Sequence, residues 1–470
     1  MAAKIHYYDI GDYLSREDKL KTIDRFGSIE SIKWTIIAPN EHGDWLNKRS
    51  ELFKLHIPLK PEKKFDTKAK SVFNTFAIGL ASNRDAWVYN FSKQAVARNM
   101  SAMIDFYNQQ QQAYQQAVKQ NPDLSVEDFI DTDPAKISWT VNLKRDVERK
   151  IAHLYKDDIR YSMYRPFSKH WLYYDKPFIE RIGISPKLFP TTQHKNLVIC
   201  VSCISDNNGL SVLLTDCIPD LHSVGDSQCF PLYWYDDSTA DIADLFSALR
   251  NEEDKYVRRD GITDWILSTA RKQYGSKVGK EDIFYYVYGI LHSPEYRTAF
   301  ASDLKKSLPR LPLVDSADDF WAFSKAGRDL AEFHLNYETV EPYKGCLLMY
   351  GANTNRGDGM NYRVEKMRFG KLDSKTPDKT KIHYNEHITV EGIPLEAYDY
   401  VVNGKSAIEW IMERYAVAVN KDSGIRNDPN DWAAEYNDEK YILNLLLRII
   451  TVSLETMKII YTLPKLKFEE

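Results

Sequence analysis

The residues best suited to chemistry in this sequence are cations grouped in two stretches. Residues 140–200 contain 12 Lys and Arg against 6 Asp and Glu, and residues 343–381 contain 9 against 4. Aromatic side chains lie among the cations at 164–171 and 363–371. Lys and Arg bind phosphate oxygens, and Arg also bonds O6 and N7 of guanine. Both stretches therefore predict local contacts with nucleic acid; a solvated charged face over an aromatic core is the alternative for each.

The motifs of common catalytic sites are missing from the sequence. It has no G-x-x-x-x-G-K-[ST] phosphate loop, no G-x-G-x-x-G dinucleotide motif and no H-E-x-x-H zinc motif. It also lacks a G-x-S-x-G nucleophile motif and the Asn/Asp-Pro-Pro-aromatic loop with which an adenine methyltransferase holds a flipped base. Cys200 and Cys203 form a lone C-x-x-C pair, which fits alternation along a buried strand better than zinc. We therefore predict no metal site. We also predict that the chain is either a binding module or part of an enzyme whose active sites lie elsewhere.

Length and composition indicate a globular protein of two or three domains. The chain has 470 residues, of which 43% are hydrophobic and 28% charged, with a net charge of −4. Its five Cys, four of them between Cys200 and Cys229, favour a reduced cytoplasmic chain over a disulfide framework. The longest apolar stretch, 441–463, is interrupted by three charged residues, so we expect a buried helix and no membrane contact.

Strand and helix patterns follow each other irregularly, which predicts an α+β (mixed α/β) fold. Ser406 after the turn 403–405 is expected to cap a helix, with phosphate binding at that helix start as the alternative. Since an alternating strand-like run begins at Lys4, we expect a piece cut from a longer protein; an N-terminal edge strand of a complete protein is the alternative. The main predicted elements are a strand at 4–10, helices at 16–26, 93–119 and 140–160, a β-rich part at 161–235, helices at 262–274 and 283–292, short strands at 345–400, and helices at 407–415 and 441–462.

Several strings of residues resemble one enzyme family. They are IHYYDIGDYLSRE at 5–17, NRDAWVYN at 83–90, RPF at 165–167, Y-x-YGILHSP at 286–294, LPRLP at 308–312, YDYVVNGKSAIEW at 398–410 and SGI-x-NDPNDW at 423–432. Together they resemble the C-terminal part of type ISP restriction-modification enzymes. Such enzymes are single polypeptides with a nuclease, a superfamily 2 helicase-like ATPase, a coupler, an N6-adenine methyltransferase and a C-terminal target-recognition domain.

The resemblance implies a division of the chain into four segments. Residues 1–65 would be the last strands and helix of a truncated α/β methyltransferase domain, and 66–160 a helical connector. Residues 161–400 would be the DNA target-recognition domain, with a helical insertion at about 255–335, and 401–470 a C-terminal helical region. The family's catalytic residues have no counterparts here, so the chain alone would not be catalytic. It would hold no cofactor; S-adenosylmethionine, ATP and Mg would be bound by domains outside it.

The basic stretches and the resemblance together predict a module that reads double-stranded DNA. Its other partners would be the methyltransferase and helicase domains of the same polypeptide, and recognition would position an adenine for methylation or permit ATP-dependent cleavage. Bases at 144–160 would contact phosphates. There are two alternatives. One is a protein-interaction scaffold, and the other is a complete nucleic-acid enzyme with an atypical site at 83–85 and 164–174. The residues predicted to contact DNA are Arg165, Lys169, His170, Arg181, Lys187, Asn207, Asn208, Lys366, Arg368, Lys371, Lys375, Lys379 and Lys381.

Overall fold

The computed structural model describes residues 4–10, 15–39, 43–46, 50–202, 208–237, 255–351, 362–374 and 376–468. Helices and short strands are interspersed along these ranges, so the expected α+β class is confirmed. Among the described residues, no helix is both long enough and apolar enough to cross a bilayer.

The N-terminal part is a small unit in which two strands flank a helix. β1 and β2 pair antiparallel, and the helix α1 between them begins at the predicted cap, since the Ser15 side chain accepts a hydrogen bond from the Asp18 N–H. No residue of α1 is buried. The elements up to residue 58 are β1 (Ile5–Tyr7), α1 (Arg16–Phe26), β2 (Thr35–Ile37), α2 (Glu51–Leu55) and β3 (Ile57–Pro58).

A helical stretch follows, and one of its helices is shorter than predicted. The helix expected over 140–160 ends at Glu148, so that part of the secondary-structure prediction is wrong. Lys150 takes a positive φ of 61°, and the Asn108 amide then bonds both the N–H and the carbonyl of His153, which holds the chain extended. The elements are β4 (Ala77–Ile78), α3 (Asp85–Val88), β5 (Tyr89–Asn90), α4 (Lys93–Gln120), α5 (Val126–Phe129) and α6 (Val141–Glu148).

Two four-stranded sheets form the middle of the molecule, in the part predicted to be β-rich. Their strand orders are β10-β6-β7-β5 and β4-β11-β8-β9, and β6 and β7 are joined by a tight turn at Phe167. The elements here are β6 (Ile159–Arg165), β7 (Ser168–Tyr173), α7 (Ser185–Leu188), β8 (Val198–Val201), β9 (Val212–Thr215), β10 (Ile218–Pro219), β11 (Gln228–Pro231), β12 (Tyr233–Asp237) and β13 (Tyr256–Asp260).

The next helices pack around one close crossing. Gly327 of α12 lies against α9, where an added Cβ would be 1.9 Å from the Tyr285 carbonyl oxygen. Only glycine allows the two backbones to approach this closely. The elements are α8 (Asp264–Tyr274), α9 (Lys280–Ile290), α10 (Pro294–Ala299), α11 (Ala301–Leu304), β14 (Arg310–Leu311), which pairs with β3, and α12 (Ala317–Leu335).

A third four-stranded sheet and a final group of helices complete the chain. The sheet is antiparallel with strand order β15-β18-β17-β16. Ser406 caps α13 in a capping box with Glu409, as the N-cap prediction required. The elements are β15 (Leu347–Tyr350), β16 (Arg368–Lys371), β17 (Pro377–His383), β18 (Ile388–Glu391), β19 (Val401–Val402), β20 (Lys405–Ser406), α13 (Ala407–Arg414), β21 (Ala418–Val419), β22 (Arg426–Asn427), α14 (Pro429–Glu435) and α15 (Tyr441–Tyr461).

Two hydrophobic cores meet at strand β8. Val198 and Cys200 face the core that lies under the first and third sheets, while Ile199 and Val201 face the core formed with α8 to α12. All four side chains are therefore buried, and Cys200 is a free thiol within the strand. The long helix α15 contributes to both cores, which fits its predicted role as a buried helix.

Candidate nucleic-acid interface

The third sheet has one face in the core and one face outward. Ile382 of β17 and Val390 of β18 are opposite each other and fully buried. Neighbouring residues along a strand point to opposite faces, so Arg368, His383 and Thr389 form an outward row across three strands. The His383 Nδ1 and Thr389 Oγ1 atoms are 3.1 Å apart, which fixes the ring within this row.

A groove of about 610 Å³ opens on this outward face. Every residue that lines it is polar or charged, and together they supply cations, imidazoles, an amide, a hydroxyl and carboxylates. Such side chains can donate hydrogen bonds to phosphate oxygens, and they can both donate hydrogen bonds to base edges and accept them. The groove is lined by Arg363, Glu365, Lys366, Arg368, His383, Asn385, Glu386, His387 and Thr389.

One end of the groove is anchored to helix α14. The Arg363 guanidinium lies 2.7 Å from the Asp428 carboxylate, which is buried and caps α14. Arg363 holds the pKa of Asp428 below its ordinary value: burial acts to raise that pKa, but the hydrogen bonds of Arg363 and Asn430 outweigh burial. The Asn430 side chain also bonds both the N–H and the carbonyl of Val364. The segment carrying Lys366 is thus held rigidly.

Three cations predicted in the second basic stretch are exposed. Lys366, Arg368 and Lys371 form no ion pair with any residue in the described ranges. Lys366 and Arg368 line the groove together, whereas Lys371 lies at the other end of β16. These three remain available to a ligand.

The other cations of that stretch are paired within the protein. Lys379 Nζ lies 3.1 Å from Glu409 Oε1, and Lys381 Nζ lies 2.7 Å from Glu391 Oε1. Each is therefore partly neutralised by a carboxylate. Lys375 lies outside the described residues.

Arg165, predicted to contact DNA, sits in a mostly buried ion pair. Its Nη1 atom is 2.7 Å from Asp220 Oδ1, and its guanidinium lies over the Tyr164 ring at 3.9 Å. Burial raises the pKa of Asp220 to about 7, while Arg165 acts in the opposite direction. The side chain of Arg165 is 13% exposed and that of Asp220 only 2%. This arrangement is that of a brace between strands.

Lys169 and His170 also lie largely inside the fold. Lys169 Nζ is 2.9 Å from Glu338; burial acts to lower the pKa of Lys169, but Glu338 raises it above its ordinary value. His170 is 2% exposed, and burial, with Arg165 and Arg414, lowers its pKa to about 3. Its ring is therefore neutral, and contact with DNA would require it to leave the core.

The remaining predicted contacts lie away from the groove lining. Arg181 is exposed. Lys187 is 45% exposed and pairs with Asp236 at 3.3 Å. The Asn208 amide donates to Asn403 Oδ1 at 2.9 Å. Asn207 lies outside the described residues.

The bases at 144–160, predicted to bind phosphates, do not share one helix. Arg160 lies in β6, where its guanidinium bonds both carboxylate oxygens of Asp158 at 2.6 and 2.7 Å. Lys144 on α6 lies 3.5 Å from Glu127. Arg149 and Lys150, after the helix, are exposed.

Sequence reasoning missed the uncharged half of the groove. His383, Asn385, His387 and Thr389 line it beside the predicted cations. A partial signal was present, since apolar residues alternate with polar ones at 382–385 and along β18, and this places His383 and Thr389 on one outward face. A count of cations does not include these uncharged side chains.

No group of His, Cys, Asp and Glu suited to holding a metal ion occurs in the part of the chain that the structure describes. The Cys200 and Cys229 sulfur atoms lie 3.7 Å apart between β8 and β11, and both thiols are buried. Cys203 lies outside the described residues.

Comparison with known proteins places the chain in a family. The profile of the type ISP C-terminal specificity domain matches residues 71–445. A nuclease-deletion mutant of the type ISP restriction-modification enzyme LlaGI, solved with a DNA substrate mimic, is 36% identical with a TM-score of 0.80. The alignment covers 99% of this chain and 40% of that one.

Two further solved structures are similar to almost the whole of this chain. The ATP-dependent type ISP enzyme LlaBIII bound to DNA is 34% identical with a TM-score of 0.82, over 99% of this chain and 28% of its own. The DrdV–DNA complex is 26% identical with a TM-score of 0.79, over 99% of this chain and 44% of its own. This chain thus spans less than half the length of each protein. No curated protein matches it. On the profile match and these identities, the chain belongs to the family of type ISP C-terminal specificity domains.

Proposed function

We propose that this chain is the sequence-specific DNA recognition module of a type ISP restriction-modification enzyme. It would hold duplex DNA so that other domains of the polypeptide methylate the target adenine or cleave in an ATP-dependent reaction. One observation carries the proposal: two type ISP enzymes solved with DNA or a DNA mimic match 99% of this chain at 34% and 36% identity.

The outward face of the third sheet is the surface best suited to this function. Lys366 and Arg368 are exposed, unpaired among the described residues, and adjacent to the imidazole and amide groups of His383 and Asn385. Cations supply affinity for phosphates, and side chains that both donate and accept hydrogen bonds supply base discrimination. The groove combines both, on strands β16 to β18 and on the segments next to these strands.

The first test measures binding to a pool of random duplexes by fluorescence anisotropy from low to moderate salt, followed by sequencing of the retained fraction. A recognition module should enrich one short asymmetric motif that contains adenine. Binding without enrichment would mean that specificity requires the rest of the polypeptide. No binding at low salt would favour the scaffold alternative.

The second test locates the surface. Lys366→Ala/Arg368→Ala/Lys371→Ala should weaken duplex binding and flatten the slope of log K against log salt. The slope changes by about 0.9 for each phosphate that the protein no longer neutralises, hence by up to about 3. A matched control, Lys272→Ala/Lys277→Ala/Lys305→Ala, removes three other exposed cations that form no ion pair with a residue the structure describes, and it removes the same net charge. Equal effects of the two triple variants would remove the groove from the proposal.

Residues 1–65 are proposed to complete a methyltransferase domain. Helix α1 has no buried residue, and Leu20, Ile23 and Ile36 are 55%, 58% and 51% exposed. An amphipathic helix needs another layer to cover its apolar side, and the missing part of such a domain would supply it. S-adenosylmethionine, ATP and Mg would then be bound outside this chain. Heat released on titrating this chain with S-adenosylmethionine would instead favour the complete-enzyme alternative.

A further inference from the structure

A second cleft, of about 310 Å³, lies where four segments meet. Strands β6 and β7 contribute Tyr161 and Lys169, the loop after α7 contributes Lys195, and the turn after β9 contributes Asp216. Helix α14 contributes Trp432, and Tyr436 follows its last residue. Its size lies at the lower end of the range for small-molecule sites. The cleft is separate from the groove on the third sheet, with which it shares no lining residue.

One wall of the cleft is an aromatic platform. The hydroxyl oxygens of Tyr161 and Tyr436 are 2.7 Å apart, and the two side chains are 39% and 49% exposed. Tyr161 stacks on Trp171 at 4.1 Å, and Tyr436 stacks on Trp432 at 5.5 Å. The second layer of rings holds the two tyrosines in place, so their exposed surface is preformed. Aromatic surface left in contact with water gains free energy when a flat ligand covers it.

The charged groups of the cleft divide into paired and unpaired ones. Lys169 is neutralised by Glu338 at 2.9 Å. Lys195 and Asp216 are exposed, and neither forms an ion pair with a residue that the structure describes. An exposed cation and an exposed carboxylate, which also acts electrostatically on Lys169, stand beside an aromatic platform. This set suits a ligand with an anion, a flat ring and hydrogen-bond donors on that ring.

We propose that this cleft binds one unpaired nucleotide of the DNA substrate. The base would stack on Tyr161 and Tyr436, Lys195 would pair with its phosphate, and Asp216 would accept a hydrogen bond from the base edge. The inference rests on the proposed function, because it names a second site for the same DNA. Enzymes that flip a base out of a duplex leave its partner base unpaired, so such a nucleotide exists during the reaction proposed for the whole polypeptide.

The test uses fluorescein-labelled hexathymidylate as the probe and anisotropy at low salt. Tyr436→Ala should weaken binding of the probe about fivefold to 150-fold, the range for removal of the aromatic ring on which one base stacks. Tyr436→Phe keeps the ring and should bind as the parent does, which separates stacking from the effect of the hydroxyl group. Tyr461→Ala is the matched control, since Tyr461 is 63% exposed at the end of α15 and lies outside the cleft lining. Thermal unfolding of each variant checks that it is folded.

Measuring a fully paired duplex in parallel distinguishes this inference from the proposed function. Tyr436→Ala should leave duplex affinity unchanged, whereas the triple variant at Lys366, Arg368 and Lys371 should lower it and spare the probe. If the parent binds duplex but not hexathymidylate, the cleft inference is overturned and the recognition function stands. Equal weakening by Tyr436→Ala and Tyr461→Ala would also overturn it. If neither DNA binds, both proposals fail.

Discussion

Replacing Arg165 with Ala tests whether this arginine braces the fold or contacts DNA. Asp220 accepts hydrogen bonds from Arg165 at 2.7 Å, from the Tyr89 hydroxyl at 3.2 Å and from the His222 N–H at 2.9 Å. Removing the arginine leaves a carboxylate that is 2% exposed without its cation. Removal of one partner of such a pair costs about 3–5 kcal/mol.

That cost converts into a measurable shift in Tm. Unfolding entropy is about 2.1 cal/mol/K per residue, hence about 1 kcal/mol/K for 470 residues unfolding together. We therefore expect Arg165→Ala to lower Tm by up to about 3–5 °C in scanning calorimetry at pH 8, where Asp220 is ionised in the parent. Arg181→Ala, which removes an exposed cation, should change stability by no more than about 0.5 kcal/mol.

The destabilisation should also depend on pH. Burial raises the pKa of Asp220 to about 7, above its unfolded value, so the folded state binds the extra proton. Stability from this group is present below the unfolded pKa and is lost as pH rises through about 7. Without Arg165 the pKa of Asp220 rises further, so the difference in Tm between variant and parent should be larger at pH 8 than at pH 6. Adding Asp220→Asn should recover part of the stability at pH 8. An unchanged Tm together with weakened duplex binding would refute the brace and restore Arg165 as a DNA contact.

Two further predictions concern the helical core and acid stability. Gly327→Ala adds a Cβ 1.9 Å from the Tyr285 carbonyl oxygen, so it should lower the free energy of unfolding, measured by chemical denaturation, by about 1–3 kcal/mol. At an open helix position the same change stabilises a protein by about 1 kcal/mol. A gain in stability would therefore contradict the close crossing. Burial lowers the pKa of His334, like that of His170, to about 3. Each of these histidines therefore takes up a proton on unfolding when the pH is below its ordinary pKa of about 6.5. Stability should fall as pH is lowered from 6.5 to 5, by up to about 1.4 kcal/mol per pH unit for each histidine. His334→Gln should make this fall shallower in Tm measurements, and an unchanged slope would contradict a buried neutral ring.

Local signals predicted the elements that depend on neighbouring residues alone. Ser15 and Ser406 cap the helices that they were expected to cap, because the cap and the N–H that it accepts from lie three residues apart. Helix α4 matches its predicted range within a residue. The helix at 140–160 was wrong because Asn108, on another element, bonds the backbone of His153 and outweighs helical propensity. Tertiary contacts of this kind leave no trace in local sequence.

At the candidate site, too, the sequence predicted only what does not depend on contacts between distant residues. The cations Lys366 and Arg368 could be found by counting charge, since both side chains are exposed in the structure. The role of Arg165 could not, because its partner Asp220 lies 55 residues away along the chain. A basic stretch thus indicates where cations are frequent, and only the fold decides which of them are already neutralised.

The third sheet separates what holds the fold from what would read DNA. Ile382 and Val390 fill the core on one face, while Arg368, His383 and Thr389 stand on the other. Because neighbouring side chains of a strand point to opposite faces, replacing Arg368, His383 or Thr389 should leave the inward packing unaltered. A recognition surface built this way meets two demands at once, since its backbone stays fixed while its hydrogen-bonding groups are free to vary. Related modules with one fold could therefore recognise different DNA sequences by substitution of the outward row alone. The groove residues, more than the braced cations of β6 and β7, are the positions at which we expect such variation to matter.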